Sequence, residues 1–101
     1  MSHQSRIKDE FADSLFEAIL KLETMEECYR FFEDICTIKE IQSISQRLAV
    51  AKLLNAGKTY NHIEEKTKAS TATISRINRC LHYGADGYKM ILEKLADEKK
   101  E

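Results

Sequence analysis

The sequence predicts an all-α fold of six helices that carries a helix-turn-helix. Three observations predict it. The chain has 101 residues with no proline and only three glycines, Gly57, Gly84 and Gly87, and its Leu, Ile, Glu, Lys and Ala content favours helix almost everywhere. Apolar residues recur at helical spacing in one segment after another. The stretch Asn61–Arg79, NHIEEKTKASTATISRINR, contains two such segments joined by a short turn, which is the length of a helix-turn-helix.

The first helix is expected from about Lys8 to Leu22, with Phe11, Leu15, Phe16, Ala18, Ile19, Leu20 and Leu22 as its apolar surface. These residues cover roughly 200° of the helical wheel, whereas a helix on a single core needs a stripe somewhat wider than about 100°. The second helix opens on a capping box, Thr24-Met25-Glu26-Glu27, and turns Cys28, Phe31, Phe32 and Ile35 inward. The third opens on Thr37-Ile38-Lys39-Glu40, carries Ile41, Ile44, Leu48, Ala51 and Leu54, and stops at Gly57. Thr59 caps a short fourth helix to about Thr67, with Ile63 inward, and residues 66–69 form the turn. Ser70 caps the fifth, whose Ile74, Ile77 and Leu81 make one stripe. Gly84 ends it, and Asp86 caps a sixth helix with Tyr88, Ile91, Leu92 and Leu95 inward, followed by a fraying tail from Asp97. The whole of 1–101 reads as a single helical domain, with a core over about 8–57, the helix-turn-helix over about 59–83 and a C-terminal helix over about 86–96. Wide apolar surfaces on the first two helices of so short a chain imply a second subunit sharing the core, a homodimer.

Net charge is −1, but the charges are unevenly placed. Residues 1–40 hold 5 Lys/Arg against 10 Asp/Glu, a net of −5, and residues 41–96 hold 9 against 4, a net of +5. The basic half contains the helix-turn-helix, and binding to a polyanion follows the local field rather than the total charge. An odd set of cysteines, Cys28, Cys36 and Cys80, without a CxxC pair fits free thiols in a reducing cytoplasm rather than a disulfide framework. His3, His62 and His82 are scattered, so no metal site is expected. No apolar run reaches the roughly 18 residues of a membrane span, and the N-terminus lacks the apolar stretch of a signal peptide. The glycines form no phosphate loop, and no HExxH or nucleophile–base pattern occurs, which argues against an enzyme.

The fifth helix carries the chemistry. Opposite its apolar stripe lie Ala72, Ser75, Arg76, Arg79 and Tyr83, a small, hydroxylic and cationic face without a carboxylate. Short side chains let the backbone approach a groove, hydroxyls bond bases or phosphates, and Arg reads guanine or neutralises a phosphate. The helix N-terminus adds partial positive charge. Glu64 and Lys68 stand where the generic motif often has a small residue and Gly. Glu64 is accommodated if it points outward, and a Lys in the left-handed region costs about 1 kcal/mol. The competing reading of this pattern is a helical protein-interaction module that does not bind DNA.

The run Ala72-Thr73-Ile74-Ser75-Arg76, followed by Asn78 and Leu81, resembles the recognition helix of the Trp repressor family. Leu53-Leu54, Gly57 and Leu92-Glu93-Lys94-Leu95 fit the same layout, and Phe31–Thr37 with Ser45-Gln46-Arg47-Leu48 resembles its YerC/YecD branch. The resemblance implies a six-helix Trp-repressor-like fold, an intertwined homodimer and a transcriptional regulator of double-stranded DNA. It places Thr71, Ala72, Thr73 and Ser75 at the DNA surface and Asn61 near the backbone. Together with Lys68, Ser70, Arg76 and Arg79 they form the expected interface. In that family a small amino acid sits against two arginines and a following Gly. Arg76 matches the second arginine, Arg47 is set against the first with a one-residue offset, and Ile77 replaces the Gly. Arg47, Arg76, Ile77 and Cys80 thus mark the effector pocket. A branched side chain adding methylenes to a filled site costs about 1–3 kcal/mol, so tryptophan is not the expected effector, Ile77 itself fills the space, and no cofactor is required. A different small ligand is the alternative.

Overall fold

The computed structural model describes residues 5–99. Six helices follow one another: α1 Glu10–Ile19, α2 Met25–Ile35, α3 Ile38–Asn55, α4 Tyr60–Thr67, α5 Thr71–Tyr83 and α6 Gly87–Lys99. The chain divides into two compact units between Ile38 and Lys39. In the second unit α3 contributes fully buried Val50 and Ala51 to the core that α4 and α5 complete.

In the first unit the helix ends are set by side chains. Asp9 Oδ1 accepts the Ala12 N–H at 2.7 Å and starts α1. The helix is shorter than the expected Lys8–Leu22, since beyond Ile19 the Lys21 and Leu22 amides bond three residues back, to Ala18 and Ile19 carbonyls, the tighter pattern that closes helices. At α2 the Thr24 hydroxyl accepts the Glu27 N–H at 3.1 Å, and the Glu27 carboxylate accepts from the Glu23 N–H at 2.8 Å, one residue before the cap. Neither α1 nor α2 contains a buried residue. Phe11 is 81% exposed, Leu20 82% and Met25 74%.

The second unit has the core. Val50 and Ala51 of α3, Ile63 of α4, Ala69 of the turn, and Ile74 and Ile77 of α5 are buried together, with Leu53, Leu54, Tyr60 and Tyr88 packed around them. The end of α3 is a Schellman turn: Gly57 has φ +81, its N–H donates to Leu54 O, and Lys58 N–H donates to Leu53 O. Asp86 differs from expectation. It precedes α6 in the left-handed region, at φ +66, rather than in the extended conformation of a capping residue, and its carbonyl accepts the Met90 N–H. The tail also differs, for α6 continues through Asp97 and Glu98 to Lys99. Lys100 and Glu101 lie outside the described residues, as does His3.

Gly84 ends α5 with its N–H on Cys80 O, and a Cβ there would lie 2.4 Å from that same oxygen. Gly84→Ala is therefore expected to destabilise the protein by about 1–3 kcal/mol, read as a drop of several degrees in Tm by circular dichroism. At Gly87 a Cβ meets nothing within 4 Å, and Gly87→Ala is expected to leave Tm unchanged or raised.

Candidate nucleic-acid interface

The two helices of the motif are held at their junction by hydrogen bonds that their own sequence supplies. Thr59 Oγ1 accepts the His62 N–H at 3.1 Å and starts α4. At its end the Thr67 hydroxyl donates to Ile63 O at 2.7 Å and accepts the Ala69 N–H at 3.2 Å. Lys68 reverses the chain at φ +64, ψ +15, the left-handed conformation expected of it. Ala69 is buried, and its small side chain lets the turn close over Ile63 and Ile74. Ser70 Oγ then accepts the Thr73 N–H at 3.1 Å and starts α5.

Burying Ile74, Ile77 and Leu81 fixes which way α5 faces. At about 100° per residue, the opposite side presents Ala72, Ser75, Arg76 and Arg79, all exposed, and ends in Tyr83. Thr71, Ser70 and Lys68 are exposed at the N-terminal end of this stripe, and Asn61 is exposed on α4. Thr73 alone of the expected contacts is half-buried, and its hydroxyl accepts from Ser70 Oγ at 3.1 Å. Among the described residues no carboxylate forms an ion pair with Arg76 or Arg79. The stripe therefore offers cationic and hydroxylic groups outward with an apolar seam behind it, an arrangement suited to phosphates and base edges.

Two further residues, Glu64 and Gln46, make bonds that the sequence pattern did not reveal. Glu64, which the motif accommodates if it points outward, is half-buried, and its carboxylate accepts from the Thr71 hydroxyl, joining α4 to the first residue of α5. Gln46 of α3 donates from Nε2 to Thr67 O at 2.9 Å, holding the turn to α3. Helical periodicity cannot find either bond, because both cross between helices. The i to i+7 spacing of Glu64 and Thr71 across a turn is the signal that was available.

Of the expected pocket residues, Ile77 is 4% exposed within the core, while Arg47, Arg76 and Cys80 are exposed. Arg47 donates from Nη2 to Ser43 Oγ at 3.2 Å. Arg47 and Cys80 both act on Tyr88 of α6, which packs on the core that includes Ile77. Burial pushes the Tyr88 phenol above its ordinary range, Cys80 pushes it the same way, and Arg47 opposes them. An open groove of about 650 Å³ runs between α3 and the turn, lined by Ile41, Gln42, Ser45 and Ala49 on one side and Lys66 and Lys68 on the other. None of Arg47, Arg76, Ile77 or Cys80 lines it.

The family model for the Trp repressor protein matches residues 10–96, a span that includes every helix start and the complete stripe. The chain belongs to the Trp repressor family. It is 53% identical over 96 residues to the uncharacterized protein YerC of Bacillus subtilis, which covers 95% of this chain and 92% of YerC. Two crystal structures are similar in fold as well as sequence. One is a TrpR-like protein from Eubacterium eligens, with TM-score 0.87 and 55% identity, covering 90% of this chain and 94% of the other. The second, solved as a candidate Trp repressor from Staphylococcus aureus, gives TM-score 0.86 and 54% identity over 90% and 91% of the two chains. The six-helix, all-α Trp-repressor-like fold expected from the sequence is thus the fold of this chain. Among the described residues no helix is long and apolar enough to cross a membrane.

The Tyr88 environment has a consequence at high pH. A phenol whose pKa is raised on folding favours the neutral form, so its contribution is complete below the unfolded value of about 10 and is lost as pH rises through the folded value. Wild-type stability is expected to fall more steeply than that of Tyr88→Phe above about pH 10, as measured by urea unfolding across that range.

Proposed function

We propose that this protein is a sequence-specific DNA-binding transcriptional regulator of the YerC/YecD branch, acting as a repressor, whose α5 enters the major groove. The observation that carries this reading is the stripe Ala72, Ser75, Arg76 and Arg79, exposed and free of carboxylate on the side of α5 opposite its buried seam. Asn61, Lys68, Ser70, Thr71 and Thr73 extend the contact toward the N-terminal end of α5. The +5 charge of residues 41–96 supplies the attraction. The protein works in the cytoplasm, where DNA and reduced thiols are found, and its role includes no catalytic step.

The active form is a homodimer. Support comes from α1 and α2, which bury no residue within one chain yet carry Phe11, Phe16, Leu20 and Met25. Two copies set two recognition helices on one duplex, about 34 Å apart for successive turns, and linkage of the two half-sites multiplies affinity. Tryptophan is not the effector. Ile77 occupies core volume beside Val50 and Ile74, where an indole would need open space, so the heads are placed without a corepressor.

Fluorescence anisotropy with labelled genomic duplexes tests the central reading. Affinity is expected to fall steeply between about 50 and 200 mM salt through counterion release, and Arg79→Ala to weaken all sequences and flatten that dependence by about one charge. No binding to any genomic fragment at low salt, together with recovery of a stable protein partner, would establish the interaction-module reading instead. Isothermal titration with tryptophan is expected to give no saturable heat, and micromolar binding would refute the role given to Ile77.

A further inference from the structure

The hydroxyl of Thr71 stands at the first position of α5, exposed on the face proposed to meet DNA, and it is already committed to Glu64. The direction of that bond is fixed by chemistry. A carboxylate has no proton to give, so the threonine hydroxyl donates its single hydrogen to Glu64 and keeps only lone pairs for any other partner. Thr71 is thereby turned from a group that can donate or accept into an acceptor. A phosphate oxygen needs a donor, and so do guanine O6 and N7 and thymine O4. Adenine N6 and cytosine N4 are the donors that the major groove displays. The Glu64 charge adds to the selection, since a carboxylate at this place repels phosphate and any base edge that presents acceptors alone. Ser70, next in the chain, has its hydroxyl engaged with Thr73, so it does not supply a free substitute for the proton that Thr71 has given up.

Resting on the reading of α5 as the recognition helix, we infer that Glu64 and Thr71 together form a specificity-determining pair that selects a base with an exocyclic amino group, adenine or cytosine, at one position of each half-site. Thr71 makes the contact. Glu64 is a positioning residue that sets the polarity of the hydroxyl and lowers affinity for duplexes without the amino group. The departure of Glu64 from the small residue of the generic motif is then a determinant of sequence preference as well as a feature the fold accommodates.

The test is selection of duplexes from a randomised pool by the full-length protein and its variants, followed by affinity measurement on the selected sites, with circular dichroism to compare helix content. Wild type is expected to require adenine or cytosine at one half-site position, preferring it by roughly 3- to 10-fold, the worth of one net hydrogen bond. Thr71→Val, which keeps the shape of an exposed side chain and removes the hydroxyl, is expected to lose preference at that position and at no other. Glu64→Leu frees the threonine proton, and the same position is expected to admit guanine or thymine. Glu64→Gln retains an oxygen that accepts from Thr71 and removes the charge, so the amino preference is expected to remain while all duplexes bind about two- to fivefold more tightly, the scale of one exposed charge interaction. If the wild type selects a site and Thr71→Val and Glu64→Leu select the same site with unchanged preferences, the pair does not read a base and the inference is overturned while DNA binding stands. If the wild type binds no duplex, the DNA-binding function itself fails and this assignment falls with it.

Discussion

The apolar seam between α3 and the helix-turn-helix is the constraint on which the rest depends. Val50 and Ala51 meet Ile63, Ala69, Ile74 and Ile77 there with essentially no solvent contact. A folded domain is stable by only about 5–15 kcal/mol, and truncating one buried Ile to Ala costs about 2–5 kcal/mol, so the chain cannot readily place these side chains elsewhere. Once Ile74 and Ile77 are inward, the 3.6-residue period forces Ala72, Ser75, Arg76 and Arg79 outward. The exposed stripe is in this sense a by-product of the core. The polar bonds at the junction refine what the seam establishes: Gln46 on Thr67 O holds the turn, and Glu64 on Thr71 holds the start of α5.

Most of this fold was legible in the sequence because its signals are local. Thr24, Thr59 and Ser70 are capping residues followed at fixed distance by the amides they accept, and Gly57 marks the end of α3 through a positive φ. Helical periodicity located Ile63, Ile74, Ile77 and Leu81, and therefore the exposed stripe. The misplaced details have physical reasons as well. The ends of α1 depended on Asp9 and on a tightened last turn, neither of which alters the apolar pattern. Asp86 has the residue type of a cap but sits in a left-handed turn after Gly84. Glu64 and Gln46 act across helix boundaries, where periodicity within one helix carries no information, and the gathering of Arg47 and Cys80 about Tyr88 depends on the packing of α6.

The first unit has a different character. Its helices are well capped, yet their apolar residues are left accessible in the single chain, including Phe11, Leu20 and Met25. Phe11 and Leu20 belong to the arc that makes α1 wide on the helical wheel. The proposed division of labour follows: the acidic N-terminal unit, with a net charge of −5 over residues 1–40, supplies association between copies, and the basic unit supplies attraction to DNA.

The proposed function requires that DNA be met by the stripe on α5 and not by another surface. Backbone amide NMR of isotopically labelled protein, titrated with a duplex selected from its own genomic fragments, tests this directly. The largest shift changes are expected across residues 68–79, with smaller ones at Asn61 and little change in α1 and α2. Shift changes confined to α1, α2 or α6, with residues 68–79 unaffected, would contradict it.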